Sequence, residues 1–164
     1  MPDVFSLSEF LPYRLAVLSE RVSRRLSVVY AERFGLTIPE WRVLVHLSRC
    51  QMVSVREIHN CVNLEKPRVS RAVAKLEAAG LVEKVASEAD QRLVEISLTE
   101  AGRQVLNSIV PEAQALEGRL LAALSAEESA LFVAMMERLH GVLDNDPQAP
   151  RRSRMDTIPD QPDV

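Results

Sequence analysis

The chain has 164 residues, of which 47% are hydrophobic and 26% charged, with a formal charge of −3. That length suits one compact domain with its own core, and that hydrophobic share excludes global disorder. The charge is uneven: residues 93–164 hold six Lys/Arg against twelve Asp/Glu, while residues 1–92 are net cationic, so the overall sign does not exclude a polyanionic partner.

Leu11, Leu15, Leu18, Val22, Leu26 and Val29 mark a long amphipathic helix ending near Gly35, with Arg14, Arg21, Arg24, Arg25 and Arg33 along it. Thr37 and Glu40 have the spacing of a capping box, and Pro39 suits a first turn. The helix they open runs to about Cys50 and places Trp41, Val43, Leu44, Val45 and Leu47 largely in the core. Ser54 and Glu57 form a second box, opening a short helix with an apolar face at Val55, Ile58 and Val62. Asn63 tolerates the left-handed backbone of a sharp turn, and Pro67 fits the first turn of the helix that follows.

That next helix has two distinct faces. Val69, Ala72, Val73 and Leu76 fall at i, i+3, i+4 and i+7, a single buried stripe. Lys66, Arg68, Ser70, Arg71 and Lys75 mostly project elsewhere, and residues 66–75 contain four cations and no anion. Each cation can neutralise a phosphate, and an arginine such as Arg68 or Arg71 can grip a guanine edge with two hydrogen bonds. Gly80 stands where a left-handed C-cap is expected. Leu81–Val85 and Leu93–Leu98 then read as the two strands of a ribbon whose tip, Ala86–Arg92, is polar. Asp90 can pair with Arg92 and hold it extended towards a narrow minor groove. The order short helix, turn, cationic helix, ribbon is a winged helix-turn-helix, with Ser54, Lys66, Pro67, Arg68, Ser70, Arg71, Lys75, Asp90 and Arg92 as the expected DNA contacts.

Thr99 is placed to cap a third long helix, to about Ala123, with a kink expected at Pro111. Ser125 and Glu128 box a last helix carrying Leu131, Phe132, Met135, Met136, Leu139 and Val142. The fold class is therefore mainly α with a small β-wing. Residues 36–99 form the DNA-binding winged helix, residues 10–35 and 100–144 form dimerisation helices within a domain over 1–145, and residues 146–164 form a polar, Pro-rich mobile tail. The terminal helices carry more apolar surface than one small winged domain can cover, so a twofold homodimer on a palindromic operator is expected.

Taken together, Leu36-Thr37-x-x-x-Trp41, Pro67-x-x-Ser70-Arg71, Asp90-x-Arg92 and Ser97-Leu98-Thr99-x-x-Gly102 resemble the MarR family of transcriptional regulators, over about residues 10–143. The resemblance implies a triangular homodimer with a winged domain at each base corner. It also implies repression by covering a palindromic site, and release of DNA when a small aromatic or other anionic ligand binds between the dimerisation and DNA-binding parts. Tyr13, Arg14, Arg25, Tyr30, Trp41 and His46 are the candidates for that ligand site by type and approximate place, and an aromatic acid or an acyl-CoA thioester is the expected class.

Other chemistries have less behind them. His46 and Cys50 share a metal-compatible i, i+4 spacing, and Cys61 follows His59 closely, yet no Cys-x-x-Cys or His-x-x-x-His pair supports a metal site. Redox control through Cys50 or Cys61 would need a lowered thiol pKa. No phosphate-binding glycine loop, nucleophile elbow or catalytic His–acid pair is present, so no enzyme, cofactor or metal is expected. A winged domain acting only as a protein-interaction scaffold is the alternative outside DNA binding. Met1–Phe10 lacks a secretion signal and no run can span a membrane, so the cytoplasm is the expected compartment, with both cysteines reduced.

Overall fold

The computed structural model describes residues 5–49, 53–54, 57–59, 62, 64–86 and 94–152. The first helix, α1 (Leu11–Phe34), stops at Gly35, whose φ of 65° lets its N–H turn back to the Ala31 carbonyl. Next comes α2 (Ile38–Arg49), where Glu40 accepts the Thr37 backbone N–H at 2.9 Å, the carboxylate half of the expected capping box. Residues 57–59 belong to α3, opened by Ser54: its Oγ accepts the Glu57 N–H at 3.2 Å while Glu57 accepts the Ser54 N–H at 3.1 Å. The turn beyond α3 is held by Arg42, which donates to the Val62 carbonyl, and by His59 Nδ1, which donates to the Leu64 carbonyl at 3.0 Å.

α4 (Lys66–Ala78) carries Pro67 in its first turn and buries Val69, Ala72, Val73 and Leu76, the four positions of the expected stripe. Gly80, at φ 71°, makes the left-handed turn after it, and Leu81 N–H reaches back to the Leu76 carbonyl. β2 (Val82–Ala86) and β3 (Val94–Leu98) pair antiparallel from Val82↔Leu98 to Ala86↔Val94.

The two-stranded ribbon expected from the sequence is one strand short. A two-residue strand, β1 (Val53–Ser54), pairs with β3 through Val53↔Ile96 and gives a three-stranded sheet of order β1-β3-β2. Two residues are too few to show alternation, so β1 is defined by its partner rather than by a local pattern.

α5 (Glu100–Leu121) runs through Pro111 and starts at Thr99, whose Oγ1 accepts the Gly102 N–H. α6 (Ala126–Asp144) starts on a complete capping box between Ser125 and Glu128. The core joins Leu44, Ile58, Leu76 and Ile96 of the winged unit to Tyr30 of α1 and Ile109 of α5. By contrast, α6 buries none of its residues, and Leu11, Leu15 and Leu18 at the start of α1 are exposed. Beyond α6, Arg152 folds back to make a two-pronged pair with Glu137 at 2.7 Å, which holds the Glu137 carboxyl below its ordinary pKa. The tail residues up to Arg152 are therefore drawn onto α6 by charge.

Candidate nucleic-acid interface

The outer face of α4 is the cationic surface of the winged unit. Lys66, Arg68 and Arg71 are exposed, and among the described residues none has a carboxylate within ion-pair distance. Lys75 lies 3.8 Å from Glu40, a carboxylate that is 7% exposed while the lysine is 71% exposed. Some surface cations elsewhere are matched, Lys84 with Glu77, Arg24 with Glu20 and Arg33 with Glu112, while others such as Arg21, Arg25 and Arg138 have no carboxylate within ion-pair distance among the described residues. Arg68 and Arg71, unpaired among the described residues, lie on the side of α4 away from its buried stripe, with Lys66 at its amino end, and such a set of cations can form a site for a polyanion.

Pro67 and Ser70 lie on the same exposed side of the first turns of α4. Ser54 is engaged as the α3 cap, with its hydroxyl donating to Glu57 at 3.0 Å, so its first role is to order the helix-turn-helix. Asp90 and Arg92, expected at the wing tip, lie outside the described residues, as do Cys50, Cys61, Val55 and Asn63. Among the described residues no group of His, Cys, Asp and Glu is arranged to hold a metal, and no helix is long and apolar enough to cross a membrane.

The family model for MarR matches residues 34–93, from the last residue of α1 through α2, α4 and β2 to just before β3. An HTH-type transcriptional repressor of Mycobacterium tuberculosis is 33% identical over 131 residues, covering 79% of this chain and 91% of that protein. A MarR family transcriptional regulator of Silicibacter pomeroyi DSS-3, solved by crystallography, is also 33% identical, with a TM-score of 0.73 over 86% of this chain and all of that one. The chain belongs to the MarR family. A further MarR-family crystal structure, of Sco3205 from Streptomyces coelicolor in complex with DNA, shares the fold with a TM-score of 0.75 at 21% identity, covering 91% of this chain and 95% of that one. As a MarR-family protein the chain is a DNA-binding transcriptional regulator with a winged helix, in which α4 is the second helix of the helix-turn-helix.

The six ligand-site candidates do not converge. Trp41 stacks on Tyr30, ring centres 5.2 Å apart and planes within 15°. Tyr30 is fully enclosed, and burial pushes its phenol up to about 12. Trp41 lines a cavity of about 730 Å³ between α1, α2, α5 and α6, whose walls include Leu26, Val45, Leu121 and Phe132. Arg25 lies elsewhere, in a polar cavity of about 270 Å³ with Glu32, Arg33, Glu112 and Arg119. Tyr13 and Arg14 are exposed and line neither cavity. His46 is buried on α2 and lines neither. Residue type picked out the aromatic wall, but a cavity built from four helices depends on how they pack, which spacing along one helix does not encode.

His46 has its own consequence. It is 3% exposed, and among the described residues neither ring nitrogen has a hydrogen-bond partner. Burial, reinforced by Arg49 and opposed by Glu57, lowers its pKa from 6.5. The folded chain thus holds His46 neutral while the unfolded chain protonates it near 6.5. Its contribution to stability is complete above that pH and is lost as pH falls from there through the lower folded-state value. Thermal melts between about pH 7.5 and pH 5 should therefore show His46→Leu losing less stability on acidification than the parent. Parallel curves would mean that His46 is not the group responsible.

Proposed function

We propose that this chain is a homodimeric repressor that covers a palindromic operator with two copies of α4 as recognition helices and leaves it when a small effector binds. The observation that carries the DNA half is the set of α4 cations that are unpaired among the described residues, Arg68 and Arg71 on its outer side and Lys66 at its amino end. The apolar surface left open by α6 supports the dimer, and two recognition helices one duplex turn apart match a palindrome. The 730 Å³ cavity supports the effector, since its size is that of an ordinary ligand site. Its wall offers Gln114 and Glu117 but no cation, so it suits the ring or acyl chain of an effector, with any carboxylate or thioester headgroup held outside.

The test is a gel shift on the chain's own promoter region. The parent should give a discrete complex, and Arg71→Ala should weaken it by about 1–3 kcal/mol if that arginine reads a base edge. Undiminished binding by Arg71→Ala would remove α4 as the reader. Repeating the shift with aromatic acids and acyl thioesters identifies the effector as the compound that dissolves the complex.

A further inference from the structure

The cations of α4 are not equivalent. Arg68 and Lys75 are seven residues apart, close to two full turns, and so lie on one line of the helix beside α2. Arg71 is rotated about 40–60° from that line, away from the buried stripe and towards the outermost edge. Arg68, Arg71 and Lys75 line a notch of about 130 Å³ whose opposite wall is Thr37, Pro39 and Glu40 at the amino end of α2. That is well below the size of an ordinary small-molecule pocket, and it suits a single tetrahedral anion.

The electrostatics favour such an occupant. Three cations face one carboxylate, Glu40, and that carboxylate is already engaged by the Thr37 N–H at 2.9 Å and by Lys75. The net local charge is positive, and among the described residues Arg68 has no counter-ion of its own. The first turn of α2, twelve residues long, adds the positive end of its dipole.

We propose that this notch holds a backbone phosphate of the operator, with Arg68 and Lys75 as positioning residues and Arg71 left to read bases. The inference rests on the DNA reading above and divides its contacts: Arg68, Lys75 and the α2 terminus set the register of α4 on the duplex, and carry no sequence information. Glu40 serves this arrangement from below, holding Lys75 on the α2 side of the helix.

Binding of full-length parent and variants is measured on the promoter duplex and on a scrambled duplex of equal length, across a salt series. Arg68→Gln and Lys75→Gln should weaken both duplexes by the same factor, leaving their affinity ratio unchanged within about twofold. Each should also lower the slope of log affinity against log salt by about 0.9 for every phosphate that is no longer neutralised. Lys75→Arg should restore the slope. Arg71→Gln should instead cut the ratio about tenfold or more. Melting curves of the free proteins separate removal of the Glu40 ion pair from removal of a phosphate partner. Arg68→Gln or Lys75→Gln, folded like the parent, overturns the proposal if it collapses the ratio or leaves the slope unchanged. So does stabilisation by inorganic phosphate that these variants abolish without any change in slope, which would mark a free-anion site. A parent that binds neither duplex fails the DNA reading itself.

Discussion

Replacing Leu131 and Val142 together by Asp should give a chain that sediments at 18.3 kDa rather than at twice that mass, and that binds its operator about 100-fold or more weakly. Both residues lie on α6, where Val142 is 68% and Leu131 58% exposed and no residue of the helix is fully buried. The same surface includes Met135, Leu139 and Leu143, and the exposed Phe5, Leu7 and Leu11 add to the apolar area near the amino end. A contiguous apolar face of this kind is unusual on a monomer. Covering each large side chain contributes about 1.5–3 kcal/mol, so a second copy laid on α6 gains far more than one pair of residues.

The substitution is informative because it should leave the subunit intact. Both side chains are more than half exposed, so an aspartate at either position can reach water in the monomer. In a dimer each would become a buried, unpaired carboxylate, at a cost of several kcal/mol. The loss of DNA affinity follows from geometry alone. Two linked winged units bind the second half-site at high effective concentration, and separated ones do not. The melting transition of the variant should remain cooperative, which distinguishes dissociation from unfolding. A variant that stays dimeric would place the interface elsewhere and remove α6 from it.

The parts of this fold that were readable in the sequence are those set within a turn or two of chain. Gly35, Ser54 with Glu57, Thr99, and Ser125 with Glu128 all stand at the helix ends their chemistry implies, because capping joins residues only three or four apart. The stripe at Val69, Ala72, Val73 and Leu76 is equally local. What was not readable depends on distant partners. β1 exists because Ile96 and Glu95 lie beside it, and the Glu40–Lys75 contact joins residues on two different helices. The 730 Å³ cavity draws on α1, α2, α5 and α6, and only Trp41 of the six candidates reaches its wall. The notch on α4 shows the same division: the cations and their angular spacing were evident from the sequence, but the opposite wall of Thr37, Pro39 and Glu40 required the position of α2.

Two Gly→Ala substitutions within one helix should have opposite signs. Gly102 and Gly118 both lie in α5, and alanine is intrinsically better in a helix than glycine by about 1 kcal/mol. A Cβ on Gly118 would meet nothing within 4 Å, so Gly118→Ala should realise that gain. A Cβ on Gly102 would lie 2.0 Å from the Leu81 carbonyl oxygen and 3.3 Å from Leu98 Cδ2. The nearer obstacle is backbone, and it is not free to move. The Leu81 carbonyl accepts the Thr99 N–H at 3.1 Å, Thr99 Oγ1 donates to the Gly80 carbonyl at 2.7 Å, and the same Oγ1 accepts the Gly102 N–H. These bonds tie the turn after α4 to the start of α5, so they join the recognition helix to the helix that leads out of the winged unit. Inserting a methyl group forces α5 away from that turn and strains the junction, and overpacking of this kind costs about 1–3 kcal/mol beyond the propensity gain. For a chain of this size the melting temperature of Gly102→Ala should drop by about 3–10 °C while that of Gly118→Ala rises slightly. Operator binding should follow the junction rather than the melting point, so that Gly102→Ala, fully folded at low temperature, still binds more weakly than the parent because its α4 is held at a shifted angle. The opposite signs of the two substitutions would be lost if the Leu81 turn could relax freely. In that case both variants would be stabilised, and the rigid link between α4 and α5 would have to be abandoned.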